Sequence, residues 1–449
     1  MLRQSALVTL ALGQLLWLLP ARAEDELPGK LLDLGGAVES VAVDPSGSWL
    51  VTGGGDGTIR LWNLKADDPF AKPSFVLRGH GQRVGQLVMS PNGRWLASSS
   101  PDGMLRLWNV AAKDPREANY LLSAAAAKDT PKERVGWFLE MSGNSRWLAA
   151  RSLAERSKTR LWDLQAEDPE KNSVVLESSA TLRLCPNRRW LVGGAHSDVE
   201  KVQVWDLNAD DPRAKSVAFK KPAKASLEAL SLDGRWLFAR HRDLVDKTKD
   251  NILLWDLKDL KEADPEPSVL ISHPWASPPR AGDVSPDGRW LAIAFDVEPY
   301  AVDLWDLRGN DPAAGHSLLR GHKNTIRTLI FSPNSRWMVT LGDDTVARAW
   351  DLQAPEPGAK SHALQFNAHA AAVAPNNRWL VLSDRRALRV WDLDAPDPVG
   401  TSVSLGELDK RVETMHFTPD SRWLLTRGED KAVRCWDLRG IKPKGGSKP

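Results

Sequence analysis

Cysteine and tyrosine are nearly absent from this chain, and its charges almost cancel. There are 2 Cys, 2 Tyr and 9 Phe in 449 residues. Two cysteines, Cys185 and Cys435, are too few for a disulfide framework, so we expect two separate buried thiols. The formal net charge of +2 lacks the basic excess typical of nucleic-acid or anionic-membrane binders. Neither class of partner is therefore predicted.

Long apolar runs are also missing, except at the N-terminus. Residues 6–19 are almost wholly apolar, follow a basic start at residues 1–3 and precede Ala21-Arg22-Ala23, a small-x-small cleavage pattern. This arrangement predicts a cleavable signal peptide at residues 1–23 and export to a bacterial periplasm or to the cell exterior. An uncleaved anchor is the alternative. Cleavage would bring the net charge to zero, and no membrane insertion is expected after it, because no later run is long enough.

Short motifs that carry chemistry are absent as well. The chain has no nucleophile elbow, phosphate-binding loop, H-E-x-x-H or C-x-x-C. His196 and His241 fall in expected loops, and no carboxylate or Cys cluster with metal-ligand spacing accompanies them. Acid pairs such as Asp67-Asp68, Asp210-Asp211 and Asp343-Asp344 fall in turns, where solvated side chains are the ordinary interpretation. We therefore expect no enzyme activity, metal or cofactor.

Tryptophan is abundant instead, with 21 copies. Eighteen of them form nine pairs repeated about every 46 residues. The pairs are Trp49/Trp62, Trp95/Trp108, Trp147/Trp162, Trp190/Trp205, Trp236/Trp255, Trp290/Trp305, Trp337/Trp350, Trp379/Trp391 and Trp423/Trp436. Such regularity indicates a repeated structural position before it indicates a ligand site.

Each unit is predicted to contain four short strands. In the second unit these are residues 74–78, 84–89, 95–99 and 105–110, separated by Gly-His, Ser-Pro-Asn-Gly and Pro-Asp-Gly turns. Linkers rich in Ala, Asp and Pro follow most fourth strands, and Pro marks a break because it cannot donate to a β-ladder.

These units resemble the WD40 repeat. The resemblance rests on Gly79-His80, Ser90-Pro91, Asp102 and Leu107-Trp108-Asn109, and on Trp-Asp-Leu beginning at residues 162, 205, 255, 305, 350, 391 and 436. It implies an all-β fold, a single closed β-propeller of about nine four-stranded blades over residues 24–440. It also implies hydrogen-bonded sets inside blades. By motif position these are His80, Ser98, Asp102 and Trp108, and His322, Thr340, Asp344 and Trp350.

The two ends of the repeat region complement each other. Residues 30–34 align with an outer strand, whereas the last unit stops after its third strand at Trp436. We therefore expect the N-terminal strand to latch the ring and remove an exposed sheet edge. A monomeric single ring is favoured, with two rings or one irregular ring as alternatives. Residues 441–449 have the composition of a disordered basic tail.

An arginine precedes the first Trp of eight units. These are Arg94, Arg146, Arg189, Arg235, Arg289, Arg336, Arg378 and Arg422. A basic ring for an anionic ligand is one interpretation. The Asp-Pro linkers and the balanced charge favour the other, in which each Arg pairs with acidic residues of the neighbouring linker.

The turns between paired tryptophans are unequal. The Trp–Trp spacing is 12 or 13 in units 1, 2, 7, 8 and 9, but 15, 15, 19 and 15 in units 3 to 6. Longer loops on a rigid scaffold often carry function, and Arg and Trp commonly anchor interfaces. We define the loop patch, the predicted partner-binding site, by these residues: Arg151, Arg156, Arg240, His241, Arg242, Lys247 and Trp275. Tolerated surface insertion is the alternative, and Trp137 fits a strand core equally well.

The combined pattern predicts a non-catalytic, exported scaffold that binds a protein or peptide of unknown identity. A propeller enzyme of the hydrolase, lyase or quinone-dependent dehydrogenase type would need converging His, Asp, Arg or metal ligands. A carbohydrate or cell-wall binding module would need exposed Trp, for which only Trp137 and Trp275 are available.

Overall fold

The fold was analysed in a computed structural model of the chain. The residues it describes are 30–31, 37–122, 137–152, 158–177, 182–184, 189–193, 201–220, 226–230, 234–242, 250–257, 269–273, 279–308, 316–358, 361–385, 387–408 and 410–442. Strands dominate this part of the chain, with short 3-10 turns at Pro398–Thr401 and Leu438–Gly440. The strands form nine four-stranded antiparallel sheets. The prediction of an all-β fold made of four-stranded sheets is confirmed.

The first three sheets follow one another along the chain. Sheet 1 contains β2 (Val38–Val43), β3 (Trp49–Gly54), β4 (Ile59–Asn63) and β5 (Phe75–Leu77). Sheet 2 contains β6 (Gln86–Met89), β7 (Trp95–Ser99), β8 (Leu105–Asn109) and β9 (Asn119–Leu121). Sheet 3 contains β10 (Trp137–Met141), β11 (Trp147–Ser152), β12 (Lys158–Asp163) and β13 (Ser173–Glu177).

The next three sheets repeat this order. Sheet 4 contains β14 (Leu182–Leu184), β15 (Trp190–Gly193), β16 (Lys201–Asp206) and β17 (Ser216–Lys220). Sheet 5 contains β18 (Ser226–Leu230), β19 (Trp236–Arg242), β20 (Asp250–Asp256) and β21 (Val269–His273). Sheet 6 contains β22 (Pro279–Val284), β23 (Trp290–Phe295), β24 (Val302–Asp306) and β25 (His316–Leu319).

Three more sheets complete the series, and the last of them combines both ends of the repeat region. Sheet 7 contains β26 (Ile326–Phe331), β27 (Trp337–Gly342), β28 (Ala347–Asp351) and β29 (Ser361–Leu364). Sheet 8 contains β30 (Ala370–Val373), β31 (Trp379–Ser383), β32 (Ala387–Asp392) and β33 (Val403–Glu407). Sheet 9 contains β34 (Val412–Phe417), β35 (Trp423–Gly428), β36 (Val433–Asp437) and, as its fourth strand, β1 (Lys30–Leu31). In that sheet Lys30 pairs with Cys435 and Leu31 with Arg434.

A Ser-centred turn joins the first and second strands of many sheets. In sheet 2 the Ser90 hydroxyl accepts the backbone N–H of Trp95 at 2.8 Å, and Gly93 takes a left-handed φ of 68°. Other sheets place Ser145, Ser335, Asn377 or Ser421 at this left-handed position, with φ between 58° and 63°. A side chain there has a backbone cost, so a compensating contact is expected.

That contact crosses to the preceding sheet. Ser335 Oγ accepts the backbone N–H of Asp287 at 3.0 Å, and Asn377 Oδ1 accepts that of Asn334 at 2.8 Å. Ser145 and Ser421 accept from Asn92 and Asn376 in the same way. The strained residue therefore ties two consecutive sheets together by a hydrogen bond.

The paired tryptophans of a hairpin point to opposite faces of their sheet. Trp108 lies across from Leu96, not from Trp95, in the antiparallel register. Because cross-strand partners share a face and successive residues alternate, the two rings pack against different neighbours. The Trp on the second strand faces the following sheet and the Trp on the third strand faces the preceding one.

Eight hydrophobic clusters in the described residues show this arrangement. Each cluster joins two consecutive sheets, and every consecutive pair except sheets 4 and 5 has one. The cluster between sheets 2 and 3 contains Trp95 and Trp162. The cluster between sheets 9 and 1 contains Trp423 and Trp62. Because a buried Trp removes about 150–250 Å² from water, these contacts supply much of the packing between sheets.

Two expectations about single residues have structural outcomes. Cys435 is buried, whereas Cys185 lies outside the described residues. Ile441, expected to begin a disordered tail, packs against the cluster of sheets 8 and 9. The chain remains tied down there because Ile441 N–H also donates to Leu438 O at 3.2 Å. Residues 1–23 lie outside the described part.

Removing β1 is expected to destabilise the protein. Deletion of residues 24–36 would leave one edge of β36 unpaired and lower the melting temperature by a few degrees, since each lost ladder hydrogen bond contributes about 0.5–1.5 kcal/mol. Thermal unfolding followed by circular dichroism measures this. Deletion of residues 443–449, which follow the last described residue, is the control, and an equal melting temperature for both deletions would contradict the latch.

Candidate functional site

Each sheet presents two ends, and they carry different chemistry. We call the end with the turns between second and third strands the loop face. The turns that carry an Arg between first and second strands lie at the other end, which we call the arginine face. The loop face also receives the connections from each fourth strand to the next first strand.

Two polar sets link the loop face to the tryptophans. In sheet 2 the Trp108 indole N–H donates to Ser98 Oγ at 2.9 Å, and His80 Nε2 lies 2.8 Å from the same hydroxyl. His80 Nδ1 lies 3.3 Å from Asp102 Oδ2. Because a carboxylate only accepts, Nδ1 carries the proton and the hydroxyl donates to Nε2.

Sheet 7 repeats this set with Thr in place of Ser. Thr340 Oγ1 lies 3.0 Å from Trp350 Nε1 and 2.8 Å from His322 Nε2. His322 Nδ1 lies 3.0 Å from Asp344 Oδ2, which also accepts the backbone N–H of Lys323 at 2.9 Å. Burial lowers the pKa of His80 and of His322 against the opposing influence of the partner Asp. Both imidazoles are therefore held neutral, as a hydrogen-bonded structural unit requires.

Sheets 1 and 9 keep only the Trp–Thr part. Trp62 donates to Thr52 and Trp436 to Thr426, each at 3.0 Å. No His is available, and the turn Asp pairs with an Arg on the third strand instead. Although partial burial acts to raise it, hydrogen bonds from Arg60 and Thr58 lower the pKa of Asp56 to about 2.

The arginine face is built from a repeated Trp–Arg–Asp stack. Eight guanidinium carbons lie 4.3–5.1 Å from the ring centroid of the following Trp. Seven of these Arg side chains also form an ion pair of 2.7–3.6 Å with the Asp of Trp-Asp-Leu in the same hairpin. Cation–π contact and ion pair together hold each Arg flat over its indole.

The expected pairing with linker acids is therefore only a secondary contact. Arg146 also reaches Asp210 at 3.4 Å and Arg336 reaches Asp394 at 3.9 Å. The main partner is the Asp after the second Trp because the antiparallel register puts Trp147 opposite Asp163. Arg94 has no such Asp in its hairpin, since Asn109 replaces it.

The same Asp also closes the following turn. Asp163 Oδ1 accepts the backbone N–H of Gln165 at 3.0 Å. Asn63 and Asn109 keep this turn bond, at 3.0 Å to Lys65 and 3.2 Å to Ala111. The Asp-to-Asn departures in units 1 and 2 therefore preserve the turn and give up only the ion pair.

The loop patch is only partly visible. Arg151 lies near the end of β11, and Arg240, His241 and Arg242 end β19. Arg156, Lys247 and Trp275 lie outside the described residues, and Trp137 begins β10.

The structure corrects the expected loop placement of four patch residues. Arg151 pairs with Phe138 of β10, and Arg240, His241 and Arg242 pair with Ile252, Asn251 and Asp250 of β20. Arg151, Arg240 and His241 lie in strands because the second strand continues five residues past its Trp, as β3 (Trp49–Gly54) does in a unit without extra residues. Only Arg242 lies in a lengthened part of the hairpin. Both hairpins nevertheless end at the loop face.

Sequence reasoning missed the charged residues at the start of the innermost strands. Glu39 follows Val38 at a register shift in sheet 1, and Arg327 follows Ile326 at the equivalent shift in sheet 7. A β-bulge redirects such side chains. Bulges interrupt the alternation of apolar and polar residues, so no regular sequence pattern predicts where these side chains lie.

Glu39 joins the two ends of the repeat region. Its carboxylate lies 2.5 Å from Lys431 Nζ and 3.8 Å from Arg427, both of sheet 9, and 3.6 Å from Arg83, which precedes sheet 2. The hydrogen bond from Lys431 is the largest influence that lowers the pKa of Glu39. Arg427 Nε also donates to Val38 O at 2.7 Å.

In the described residues, no group of three or more His, Cys, Asp or Glu is placed to hold a metal ion. No helix in that part is long and apolar enough to cross a membrane.

Comparison with known proteins identifies the repeats. Four segments, residues 29–63, 71–109, 315–351 and 402–437, match the WD domain, G-beta repeat family. These four segments are therefore similar to WD40 repeats, as the sequence pattern predicted. Among solved structures, the Cps50 (Swd1) β-propeller domain of Myceliophteria thermophila is similar at 14% identity, with a TM-score of 0.39, over 92% of this chain and 100% of that one.

Curated relatives match shorter segments. Nuclear distribution protein PAC1 of Arthroderma benhamiae is 25% identical over 161 residues, which cover 31% of this chain and 34% of the relative. Nuclear distribution protein nudF of Emericella nidulans is 24% identical over 213 residues, 45% of this chain and 38% of the relative. Ribosome biogenesis protein erb1 of Aspergillus oryzae is 66% identical over 41 residues, 9% and 5% respectively. The chain thus spans little more than a third of the nuclear distribution proteins.

The prediction of export is wrong. The similar nuclear distribution proteins are fungal, which points against an exported protein and gives no support to a bacterial type. The prediction rested on the apolar run of residues 6–19, which lies outside the described residues. A short apolar run behind a basic start is a pattern of composition, and it does not by itself fix a destination.

Thr340→Val is expected to destabilise the protein by about 1–3 kcal/mol. The change leaves the buried indole N–H of Trp350 and Nε2 of His322 without their shared partner. Urea unfolding measures the loss of free energy. Thr414→Val, at an exposed position of β34, is the matched control and should change stability by less than about 0.5 kcal/mol. Equal losses for the two variants would show that the set contributes nothing.

Stability is expected to fall as the pH drops below the ordinary His pKa of 6.5. Because the folded state lowers the pKa of His80 and His322, the unfolded chain takes up these protons first, and each pH unit then favours unfolding further. His80→Gln with His322→Gln should flatten the slope between about pH 6.5 and pH 5, while His369 and His416 continue to titrate. Urea unfolding across this range measures the free energy of unfolding at each pH. A slope against pH that is the same in the double variant and the wild type would refute the prediction.

Proposed function

We propose that this chain is a non-catalytic protein-interaction scaffold built on one closed propeller of nine blades. The observation that carries the proposal is the WD40 repeat pattern combined with the packing of sheet 9 onto sheet 1. Trp423 of sheet 9 and Trp62 of sheet 1 share one hydrophobic cluster. The pairing of β1 with β36 and the contacts of Glu39 with Lys431 and Arg427 add to the same junction.

The side chains most suited to chemistry have structural partners. His80 and His322 are hydrogen-bonded beneath the loop face, and seven Arg of the other face are paired with Asp. Such a framework is rigid and leaves recognition to the loops. The similarity to PAC1 and nudF, whose names describe nuclear distribution proteins, is compatible with a partner that is itself a protein.

The partner surface of this scaffold is the loop patch. β19 and β20 contain seven residues each and form the longest second-to-third-strand hairpin among the described residues. Arg242, paired with Asp250 at its end, extends this hairpin at the loop face. Arg151 lies at the corresponding end of β11, two sheets away. Arg and Trp at such positions have the size and hydrogen-bonding capacity of interface anchors.

The variant Arg156→Ala, Arg242→Ala, Trp275→Ala should lose its partner. We expect at least about tenfold less partner in an affinity pull-down from cells that express the protein, because each lost anchor removes about 1 kcal/mol or more of binding free energy. Mass spectrometry of the bound fraction gives the measurement.

The control carries comparable changes at the opposite face. Arg116→Ala, Arg213→Ala, Val399→Ala removes two exposed Arg and one exposed apolar residue. It should retain the partner at the wild-type level. A partner retained equally by both triple variants would remove the loop patch from the proposal.

A further inference from the structure

A second charged surface lies on the loop face, over sheets 7 to 9. We define the basic cluster as Arg327, His369, Arg385, Lys410 and Arg411. Arg327 reaches from sheet 7 into sheet 8. Its Nη1 lies 3.2 Å from His369 Nδ1, and its Nη2 donates to Ala368 O at 3.1 Å. The bulged start of β26 directs it across this boundary.

Backbone bonds bring the remaining members to the same place. His369 N–H donates to Ser383 O at 2.7 Å, so His369 lies beside the end of β31, and Arg385 follows two residues later. Arg411 O accepts the N–H of Glu429 at 3.0 Å, which fixes Lys410 and Arg411 at the loop end of sheet 9. The cluster therefore spans three consecutive sheets.

The cluster differs from neighbouring charges at the loop face because most of its cations have no ion-pair partner among the described residues. Arg280 of sheet 6 pairs with Asp296 at 2.8 Å, and Lys431 of sheet 9 pairs with Glu39. Arg327 forms an ion pair in which its Nε lies 2.6 Å from Asp343 Oδ1. In the part of the chain that the structure describes, no carboxylate lies within ion-pair distance of Arg385, Lys410 or Arg411, and all three are exposed.

The positive potential of the cluster affects the pKa of His369. Partial burial, and then the positive charges of Arg327, Arg411 and Arg385, lower the pKa of its imidazole. Asp384 opposes them as the only acidic neighbour with a resolved influence on this imidazole among the described residues. The site thus carries exposed cations that favour a negatively charged occupant.

We propose that the basic cluster binds an acidic peptide segment of a partner protein, independently of the loop patch. Guanidinium groups pair with carboxylates through two parallel hydrogen bonds, and the cluster presents Arg385 and Arg411 from adjacent sheets for this purpose. Spacing across separate loops suits carboxylates distributed along an extended peptide. The small size of the cluster and the near-zero net charge of the chain argue against nucleic acid, which needs a larger basic surface.

The test is a fluorescence-anisotropy titration of the full chain with a labelled glutamate–glycine peptide. Arg385→Gln with Arg411→Gln should weaken binding about tenfold or more, since two charge-assisted contacts are lost. Each single variant should weaken it by a smaller factor. Arg116→Gln with Arg213→Gln is the matched control, because both residues are exposed and the change in net charge is identical. The control should bind within about twofold of the wild type.

Three results would overturn the proposal. The first is equal weakening in the two double variants, which indicates attraction to net charge alone. The second is equal binding of a glutamine–glycine peptide, or no binding of the glutamate peptide. The third is tighter binding of a labelled DNA oligonucleotide with the same dependence on Arg385 and Arg411. Glutamine side chains at exposed positions preserve folding, which circular dichroism of each variant verifies.

Discussion

The structure depends on the division of each tryptophan pair between two interfaces. In a hairpin such as β7–β8, Trp95 and Trp108 are offset by one residue in the ladder, so their rings leave opposite faces of the sheet. Each interface with a described cluster then receives one ring from the second strand of one sheet and one from the third strand of the next. Truncating such a ring typically costs about 3–5 kcal/mol, so every sheet is held from both sides by the same kind of contact. That repetition explains how nine sheets pack alike although the His-containing set occurs in only two of the described ones.

Polar contacts refine this packing rather than replace it. A cation–π contact of a solvent-accessible Arg contributes about 0.5–1 kcal/mol, and a surface ion pair commonly less than about 1 kcal/mol, so the arginine face acts mainly by fixing geometry. The Asp of Trp-Asp-Leu caps its own turn and orients the Arg, while the following Leu is buried, as Leu207 and Leu352 show. Three neighbouring residues thus serve packing, turn formation and orientation. This is a physical reason for the motif to persist at a position that faces solvent.

The sequence was sufficient for features that repeat and insufficient for those that occur once. The Trp spacing and the Ser-Pro-Asn-Gly turns predicted the four-stranded sheets because each copy reports the same local physics. Hairpin extension could not be predicted in this way, since extra residues either lengthen strands or enlarge the turn. Arg242 therefore lies in β19 and not in a loop. The positions of Arg327 and Glu39 could not be predicted because a β-bulge shifts the register by one residue. In the sequence, both residues look like ordinary surface charges. The export prediction failed because it rested on composition alone.

The two surfaces proposed for binding differ in the physics that would bring partners to them. The loop patch combines cations with Trp275, so desolvation of large side chains would dominate its affinity. The basic cluster has no large apolar residue among its members and lies at the loop ends of sheets 7 to 9, where Arg327 is anchored by His369 and Asp343. Its attraction would be electrostatic, long in range and reduced by salt. Because the clusters of tryptophan keep these sheets in fixed relation, a partner with an acidic segment beside an apolar one would meet both surfaces without deforming the scaffold. Rigid spacing between the surfaces would then raise the effective concentration of the second contact once the first has formed.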